Sequence, residues 1–365
     1  MRTTPTRTST PTHIHSARPV ADPWHPERPG LERAFRLDAR GIDGPTRGQV
    51  EGRFWRAVAP GWFRPIDEPA SVEQRIVEAS YRLPAGGGVT GWAALRWLGG
   101  RWFDGTDATG TGLPVPLTML TSNRGHAPGV LYTKERLRPQ DLMQLHGLDL
   151  TTATRSVLFE MRYAATVGDA VRVLDMACFN DLVSLSELSS AIDGSKGWTG
   201  IRQARDALQL AAENAWSPAE VGFRLLWTGV AELGPVLCNP PIFDLNGRHL
   251  LTPDLFDPVA GVVGEYQGEH HFERGQRRRD ITRETLIRDH GLELVERVAG
   301  EEPTRFLIRL RSAYARSRRL PASERRWTLT QPPSWTPTET VAQRRALPPH
   351  LRKALLANRS LKDAA

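Results

Sequence analysis

The chain has 365 residues, which exceeds a typical single domain and predicts two domains with tails. Its formal net charge is +7, most of its basic residues are arginine, and it contains only two cysteines, Cys178 and Cys238. The sequence shows no apolar run of about 18 residues, no secretory signal and no metal-spaced cysteine pair, so we expect a soluble cytoplasmic protein with no membrane partner.

The arginine excess has two interpretations. A guanidinium group makes two hydrogen bonds to a phosphate and stacks on bases, which favours nucleic acid as a partner. A coding bias that replaces lysine with arginine would give the same composition without any binding role. Composition alone leaves both interpretations open.

Residues 1–30 are rich in Thr, Pro, Ser and His and contain no apolar cluster, so we expect them to be disordered. Residues 41–65 predict a turn at Gly44-Pro45, a short polar helix and a small hairpin with an aromatic face. Its edge would carry Arg47, Arg53, Arg56 and Arg64. A basic segment interleaved with aromatics can bind a nucleic-acid backbone, but it is also typical of a packed corner, which we favour.

Residues 71–98 predict two helices around a glycine-rich turn, which lacks the lysine of a phosphate-binding loop. Thr90 is the expected N-cap of the second helix, and its tryptophans, Trp92 and Trp97, are assigned to the core. Strands are then predicted at 113–120 and 129–132, and helices at 152–164, 168–179, 185–192 and 200–213. Residues 31–213 are therefore expected to form an α+β domain.

Ser217-Pro218 predicts the start of a helix over residues 217–232, with Glu220 in its first turn. Glu220 either completes a capping box with Ser217 or contributes a carboxylate to a site formed by later elements. After this helix we predict strands at 236–243, 249–255 and 259–267, a helix at 273–290, a strand at 292–298 and a helix at 304–317. This order predicts a mixed sheet flanked by helices.

Two carboxylates fall within this predicted sheet. Asp254 is followed by residues 257–263, which are expected to form a turn and then a buried strand. Glu265 follows this apolar run. Side chains alternate along a strand, so Glu265 and Gln267 point to one face and Tyr266 to the other. A hairpin returning past Asp254 would pair the carboxylates, and hard divalent cations such as Mg²⁺ prefer such oxygen ligands. Solvated carboxylates at strand ends are the alternative.

The helix predicted at 273–290 is strongly basic. Arg277 and Arg278 lie three and four residues after Arg274, so the three are expected to meet a phosphate backbone together. The acidic residues of the same helix offer the alternative of local ion pairs. Residues 318–365 are rich in Pro, Ser, Thr and Arg and are expected to form a basic flexible tail with one short basic helix over residues 347–357.

Several segments resemble known protein families. SPAEVGFRLL, LTPDLFDP, VVGEYQGEHHF and RRRDITRETLIRDHGLELVERV resemble a Vsr-like domain family of unknown function, numbered 559, whose members have the PD-(D/E)XK nuclease fold. TRGQVEGRFWRAVAPGWFRP, LPAGGGVTGWAALRWLGG and HGLDLTTATRSVLFEM resemble the AbiEi-like antitoxins of type IV toxin–antitoxin systems. The resemblance covers residues 41–312. It implies an AbiEi-like α+β domain over 31–213 and an α/β mixed-sheet PD-(D/E)XK domain over 214–317.

The resemblance also implies a set of site residues. Asp254 and Glu265 would be ligands of Mg²⁺ or Mn²⁺, together with the backbone carbonyl of Tyr266. The implied catalytic residues are Glu220, Asp254, Glu265, Gln267 and His271. Asp280 and Arg283 would match polar positions on the following helix. Together with the basic spacing of that helix, this gives Arg274, Arg277, Arg278 and Arg283 as the expected nucleic-acid contacts.

Two departures from the family patterns affect the expected function. The nuclease motif normally ends in lysine, which stabilises developing phosphate charge, and this chain has the neutral Gln267. Too few residues separate Thr46 from Trp55 for a helix-turn-helix.

The expected function is that of a metal-dependent endonuclease that cleaves nucleic acid, with DNA as the favoured substrate. The expected setting is a toxin–antitoxin or phage-defence system with a cognate toxin. The alternative is a non-catalytic antitoxin or regulator with a degenerate nuclease fold.

Overall fold

A computed structural model of the chain describes residues 22–66, 70–107, 109–119, 126–230, 233–268, 276–319 and 321–361. Its first elements are the antiparallel strands β1 (Pro23–His25) and β2 (Arg28–Glu32). The indole of Trp24 donates a hydrogen bond of 2.9 Å to the carbonyl of His146 and so attaches this hairpin to the domain. Residues 22–30 are thus structured, and the remainder of the segment expected to be disordered lies outside the described residues.

The aromatic hairpin predicted near residue 60 forms part of a small antiparallel sheet. It comprises β3 (Phe35–Arg36), α1 (Arg47–Val50), β4 (Trp55–Ala59) and β5 (Trp62–Pro65), with the strands in the order β3-β5-β4. Arg64 is buried and pairs with Glu32 at 2.8 Å and with Glu78 at 3.1 Å. Arg56 also pairs with Glu78. Two of the four arginines therefore serve packing.

A five-stranded mixed sheet organises residues 70–213. Its strand order is β8-β7-β6-β10-β9, and helices α2 to α7 accompany it. The elements are α2 (Val72–Ser80), β6 (Gly88–Val89), α3 (Gly91–Trp97), β7 (Val115–Thr118), β8 (Val130–Thr133), β9 (Leu142–Leu145), β10 (Leu148–Thr151), α4 (Ala153–Tyr163), α5 (Val167–Phe179), α6 (Leu185–Asp193) and α7 (Ile201–Leu210). The α+β class expected for this part is the one observed.

The tryptophans of α3 belong to the core of this domain, as predicted. Trp97 is fully buried and Trp92 is nearly so, and both pack in the main apolar cluster. Thr90 is the N-cap residue of α3, but its side chain makes no capping hydrogen bond. Its hydroxyl accepts a hydrogen bond from Thr151 instead, which ties the start of α3 to β10.

A second sheet organises the following residues. It has the order β11-β14-β15-β16, in which β15 and β16 run parallel and the other neighbours antiparallel. The elements are α8 (Pro218–Leu225), β11 (Leu237–Cys238), β12 (Ile242–Asp244), β13 (His249–Leu251), β14 (Leu255–Asp257), β15 (Val262–Gln267), α9 (Gln276–Asp289), β16 (Glu293–Val298) and α10 (Pro303–Ser317). Helices α8 and α10 pack near β15, and α9 forms the crossover to β16.

Three of the strands predicted in this part are shorter than expected. The one at 249–255 divides into β13 and the start of β14, which belong to different sheets. The other two have local causes. The strand predicted at 236–243 divides because Asn239 adopts a φ of 45° and is followed by two prolines, which cannot donate to a ladder. The strand predicted from residue 259 begins at Val262. Asp257 accepts hydrogen bonds from the amides of Val259 and Ala260, which extends the turn and leaves Val259 80% exposed.

The carboxyl-terminal segment packs against both parts of the molecule. It contains β17 (Trp327–Thr328), which pairs with β12, and the helices α11 (Val341–Arg345) and α12 (Pro349–Leu361). Arg344 is fully buried and donates to the Asp181 carboxylate at 2.6 Å and the Cys178 carbonyl at 2.8 Å. Much of the expected flexible tail is therefore structured over residues 321–361.

Both cysteines are buried and not disulfide-bonded. Burial raises the pKa of the Cys238 thiol to about 12, and it raises the pKa of Cys178 as well. Neither thiol is therefore ionised at neutral pH, and both act as small core residues, as the sequence indicates.

Candidate nuclease-like site

The sheet brings Asp254 and Glu265 to adjacent positions. Leu255 pairs with Gly264 in the antiparallel ladder of β14 and β15, and continuing that register by one residue places Asp254 opposite Glu265. The Asp254 carboxylate accepts a hydrogen bond of 2.7 Å from the amide of Tyr266, and its residue is only 4% exposed. Asp254 is thus held against the strand that carries Glu265.

The predicted alternation of side chains along β15 is present. A side chain at Gly264 would meet Trp227 and Phe223. The ring of Tyr266 lies 6.3 Å from that of Phe223, so positions 264 and 266 both face α8. Glu265 faces the opposite way, towards α9. This separation leaves the Glu265 carboxylate on the face of the sheet towards α9.

Glu265 forms an ion pair with Arg283 of α9. The Glu265 side chain is 13% exposed and that of Arg283 is 44% exposed, so the pair lies at the rim of the sheet. Arg283 therefore has an intramolecular partner at the position where the sequence predicts a phosphate contact. A partly exposed pair of this kind contributes only about 0 to 1 kcal/mol, so it can exchange for another interaction.

Gln267 follows on the same face of β15. Its side-chain amide donates a hydrogen bond of 3.1 Å to Glu296 on the neighbouring strand β16. Because Gln267 is neutral, it adds no positive charge beside the two carboxylates.

Glu220 is buried in the first turn of α8, and it does not complete the capping box of the first sequence interpretation. The Ser217 hydroxyl accepts from the Glu220 amide at 3.2 Å, but the carboxylate of Glu220 accepts from the amide of Trp216 at 2.8 Å, so the reciprocal capping box is not formed. The same carboxylate oxygen accepts from the side chain of Asn239 at 2.7 Å.

Asn239 is a site residue that the sequence analysis did not identify. Its backbone amide donates to the carbonyl of Asp254 at 3.0 Å, while its side chain reaches Glu220 and the carbonyl of Asn214. Glu220 is therefore connected to Asp254 through Asn239. The available signal was an asparagine before two prolines, since asparagine tolerates the left-handed conformation more readily than most residues.

The basic helix is described only in part. His271 and Arg274 lie outside the described residues. Helix α9 contains Arg277, Arg278 and Asp280, and at these three positions only the backbone is described. Their predicted contacts with nucleic acid are therefore untested by the geometry, as is the predicted role of His271.

Many arginines elsewhere have internal partners. Glu135 pairs with Arg155 and Arg162, and the buried Asp175 pairs with Arg224. Such pairs explain part of the arginine content without any nucleic acid, which weakens the argument from composition.

Asp254, Glu265 and the Tyr266 carbonyl would supply only oxygen atoms, which suits Mg²⁺ or Mn²⁺. Among the described residues, no group of three or more His, Cys, Asp or Glu side chains is arranged to hold a metal ion. Two carboxylates and a carbonyl still fit Mg²⁺, because this ion retains several waters and is commonly held by one or two protein carboxylates.

Comparison of the chain with protein families, curated proteins and solved structures gives no match. Within the described part of the chain, no helix is long and apolar enough to cross a membrane.

Proposed function

We propose that residues 214–317 form a Vsr-like PD-(D/E)XK domain that cleaves phosphodiester bonds with Mg²⁺ or Mn²⁺, with DNA as the expected substrate. The observation that carries the proposal is the position of Asp254 opposite Glu265, at adjoining ends of β14 and β15. The order of α8, the antiparallel strands β11, β14 and β15, α9 and the parallel strand β16 supports the fold assignment. The preceding domain is proposed to be AbiEi-like.

The following roles are proposed for the residues of the site. Asp254, Glu265 and the Tyr266 carbonyl would hold the cation, and Glu265 would then exchange its ion pair with Arg283 for the cation. A bound divalent cation lowers the pKa of water and neutralises charge on the phosphate. Glu220 is a positioning residue, because its carboxylate oxygen already accepts two hydrogen bonds.

The remaining proposed residues concern the substrate. Gln267 orients a polar group by hydrogen bonding, since it has no charge to contribute. His271 follows the strand and is proposed to act on a proton. The nucleic-acid contacts are proposed for the basic helix, through Arg274, Arg277, Arg278 and Arg283. This activity is proposed to operate in the cytoplasm.

A second function is favoured by a different observation. Glu265 already has a cationic partner in Arg283, and Gln267 contacts Glu296. A nuclease fold whose carboxylate is satisfied internally suits a non-catalytic nucleic-acid-binding regulator or an antitoxin with a cognate toxin. This candidate predicts nucleic-acid binding without metal-dependent turnover.

Calorimetry and cleavage assays separate the two functions. Mn²⁺ is titrated into wild type, Asp254→Asn, Glu265→Gln and the exposed control Asp193→Asn, and each protein is then incubated with supercoiled and single-stranded DNA. The nuclease requires that both site variants lose metal binding and cleavage while the control keeps them. Nucleic-acid binding without cleavage by the wild type would support the regulator. Unchanged metal binding in both site variants would overturn the site.

A further inference from the structure

An aromatic cavity lies in the amino-terminal domain, away from the nuclease-like sheet. It has a volume of about 430 Å³, within the range of small-ligand sites. Helices α3 and α4, the edge strand β8 and its neighbour β7 surround it. Its walls include Trp92, Pro116, Tyr132, Phe159 and Tyr163, and Glu160 lies among them.

The Glu160 carboxylate lies at the amino-terminal end of α3 and is partly buried. One of its oxygens accepts a hydrogen bond of 2.7 Å from the backbone amide of Trp92. Within the described part of the chain, no cationic side chain and no other donor contacts it. Burial raises the pKa of Glu160 to about 7, and the Trp92 amide only partly opposes this rise.

Other buried carboxylates of this domain are paired with arginine. Glu135 contacts Arg155 and Arg162, and Asp181 contacts Arg344. Burying a carboxylate without a counter-ion costs several kcal/mol in general, and proteins usually avoid that cost by pairing. Glu160 departs from this pattern at a place that faces a cavity.

We propose that this cavity binds an organic cation of the guanidinium or alkylammonium class, with Glu160 as its counter-ion and the aromatic walls around its apolar part. The electron-rich faces of aromatic rings attract such cations when they approach within about 6 Å. A neutral ligand would fill the same volume but would leave the charge of the ionised carboxylate uncompensated. This proposal is independent of the nuclease-like site.

The charged groups around the cavity have other partners. Arg75 of α2 lies 5.7 Å from the centre of the Trp92 ring and donates to the Leu113 carbonyl at 2.6 Å. The Tyr163 hydroxyl donates to Glu135 at 2.8 Å, and the same glutamate is held by arginines. These contacts leave Glu160 as the acid that a bound cation would meet.

Calorimetry with the full chain tests this site with n-butylguanidinium and the neutral n-butylurea as probes. At about pH 8 the guanidinium should bind about tenfold more tightly than the urea. Its affinity should fall about tenfold when the pH is lowered to about 6, since a group with a pKa near 7 is then mostly protonated. An arginine-containing peptide and spermidine distinguish a protein side chain from a free amine as the source of the cation.

The matched variants are Glu160→Gln and the exposed control Asp193→Asn. Glu160→Gln should remove the preference for guanidinium over urea, whereas Asp193→Asn should keep it. If Glu160→Gln does not fold, the pH dependence and the guanidinium-to-urea ratio of wild type decide alone. Equal binding of both probes, guanidinium binding that Glu160→Gln leaves unchanged, or no guanidinium binding at millimolar concentration would overturn the proposal.

Discussion

The side-chain amide of Asn239 donates a hydrogen bond of 2.7 Å to the buried carboxylate of Glu220. This contact joins the first turn of α8 to the end of β11. Because the backbone of Asn239 also pairs with Asp254, the position of α8 and the position of Asp254 depend on the same residue.

Asn239→Ala should therefore lower the free energy of unfolding by about 2 to 3 kcal/mol, since it removes a donor from a buried acceptor. Alanine is also less suited than asparagine to the φ of 45° at this position. Urea denaturation measures the change, with the exposed turn residue Asn246→Ala as the control. A loss below about 0.5 kcal/mol would show that Asn239 does not hold these elements together.

Arg283→Ala should tighten Mn²⁺ binding if the proposed site is correct. The variant removes a cation that competes for Glu265, and a partly exposed ion pair is worth about 0 to 1 kcal/mol, or up to about fivefold in affinity. Calorimetry gives the affinity, and the exposed Arg288→Ala on the same helix is the control. Equal affinities in wild type and Arg283→Ala would indicate that the pair has only a structural role.

The sequence predicted the parts of this site that depend on local order. The period of two along β15 correctly separates Glu265 from Tyr266, and the turn before β15 places Asp254 beside the same strand. The partner of Glu265 was not predictable in the same way. Several arginines follow it on one helix, and which of them faces β15 is decided by how α9 packs.

Long-range packing also explains what the sequence missed in the carboxyl-terminal segment. A stretch rich in proline and arginine is typical of a solvated tail, yet Arg344 is fully buried against Asp181. Its partners Asp181 and Cys178 lie more than 150 residues earlier in the chain, and no local pattern reports them. The same limitation applies to Glu220, whose contact with Asn239 depends on the relative placement of α8 and β11.

The basic helix makes a separate prediction about nucleic acid. Replacing Arg274, Arg277 and Arg278 together by alanine should flatten the slope of log K against log salt by about 2 to 3 units on duplex DNA, because each phosphate contact releases counter-ions. The control replaces the exposed arginines Arg202, Arg205 and Arg319, which reduces the net charge equally. If both triple variants change the slope alike, the effect reflects overall charge and not a binding face.

Glu160 predicts an unusual dependence of stability on pH. Its pKa is raised in the folded chain to about 7, so the folded state retains a proton that the unfolded chain releases near its ordinary value of 4.5. The stabilisation is complete below that ordinary value and is lost as the pH rises through about 7. Glu160→Gln should therefore be more stable than wild type by about 1 to 3 kcal/mol at about pH 8, with little difference at about pH 4.

Chemical denaturation of both proteins across this range measures the difference. Tyr163→Phe serves as a control for disturbance of the cavity rim, because it removes a hydroxyl without changing the carboxylate. A constant stability difference between wild type and Glu160→Gln at all pH values would show that the carboxylate does not titrate as proposed.

The last prediction concerns Gln267, where the nuclease motif normally has lysine. A neutral amide cannot take up a proton at neutral pH, and here it donates to Glu296. If the site is catalytic, Gln267→Lys should preserve or raise metal-dependent cleavage, because it adds positive charge near the scissile phosphate. Gln267→Leu should lower turnover by about tenfold to a thousandfold, the range for losing one positioned polar contact in the transition state.

Glu296→Ala is the control that separates chemistry from local structure, because it removes the partner of Gln267 and keeps the amide itself. If Glu296→Ala and Gln267→Leu lose activity equally, the interaction between the strands is what matters. If Gln267→Leu cleaves as fast as wild type, the position has no chemical role. If Gln267→Lys cleaves and wild type does not, the native protein is a nucleic-acid-binding protein without nuclease activity. The positive charge of lysine would then be the one feature that wild type lacks for cleavage.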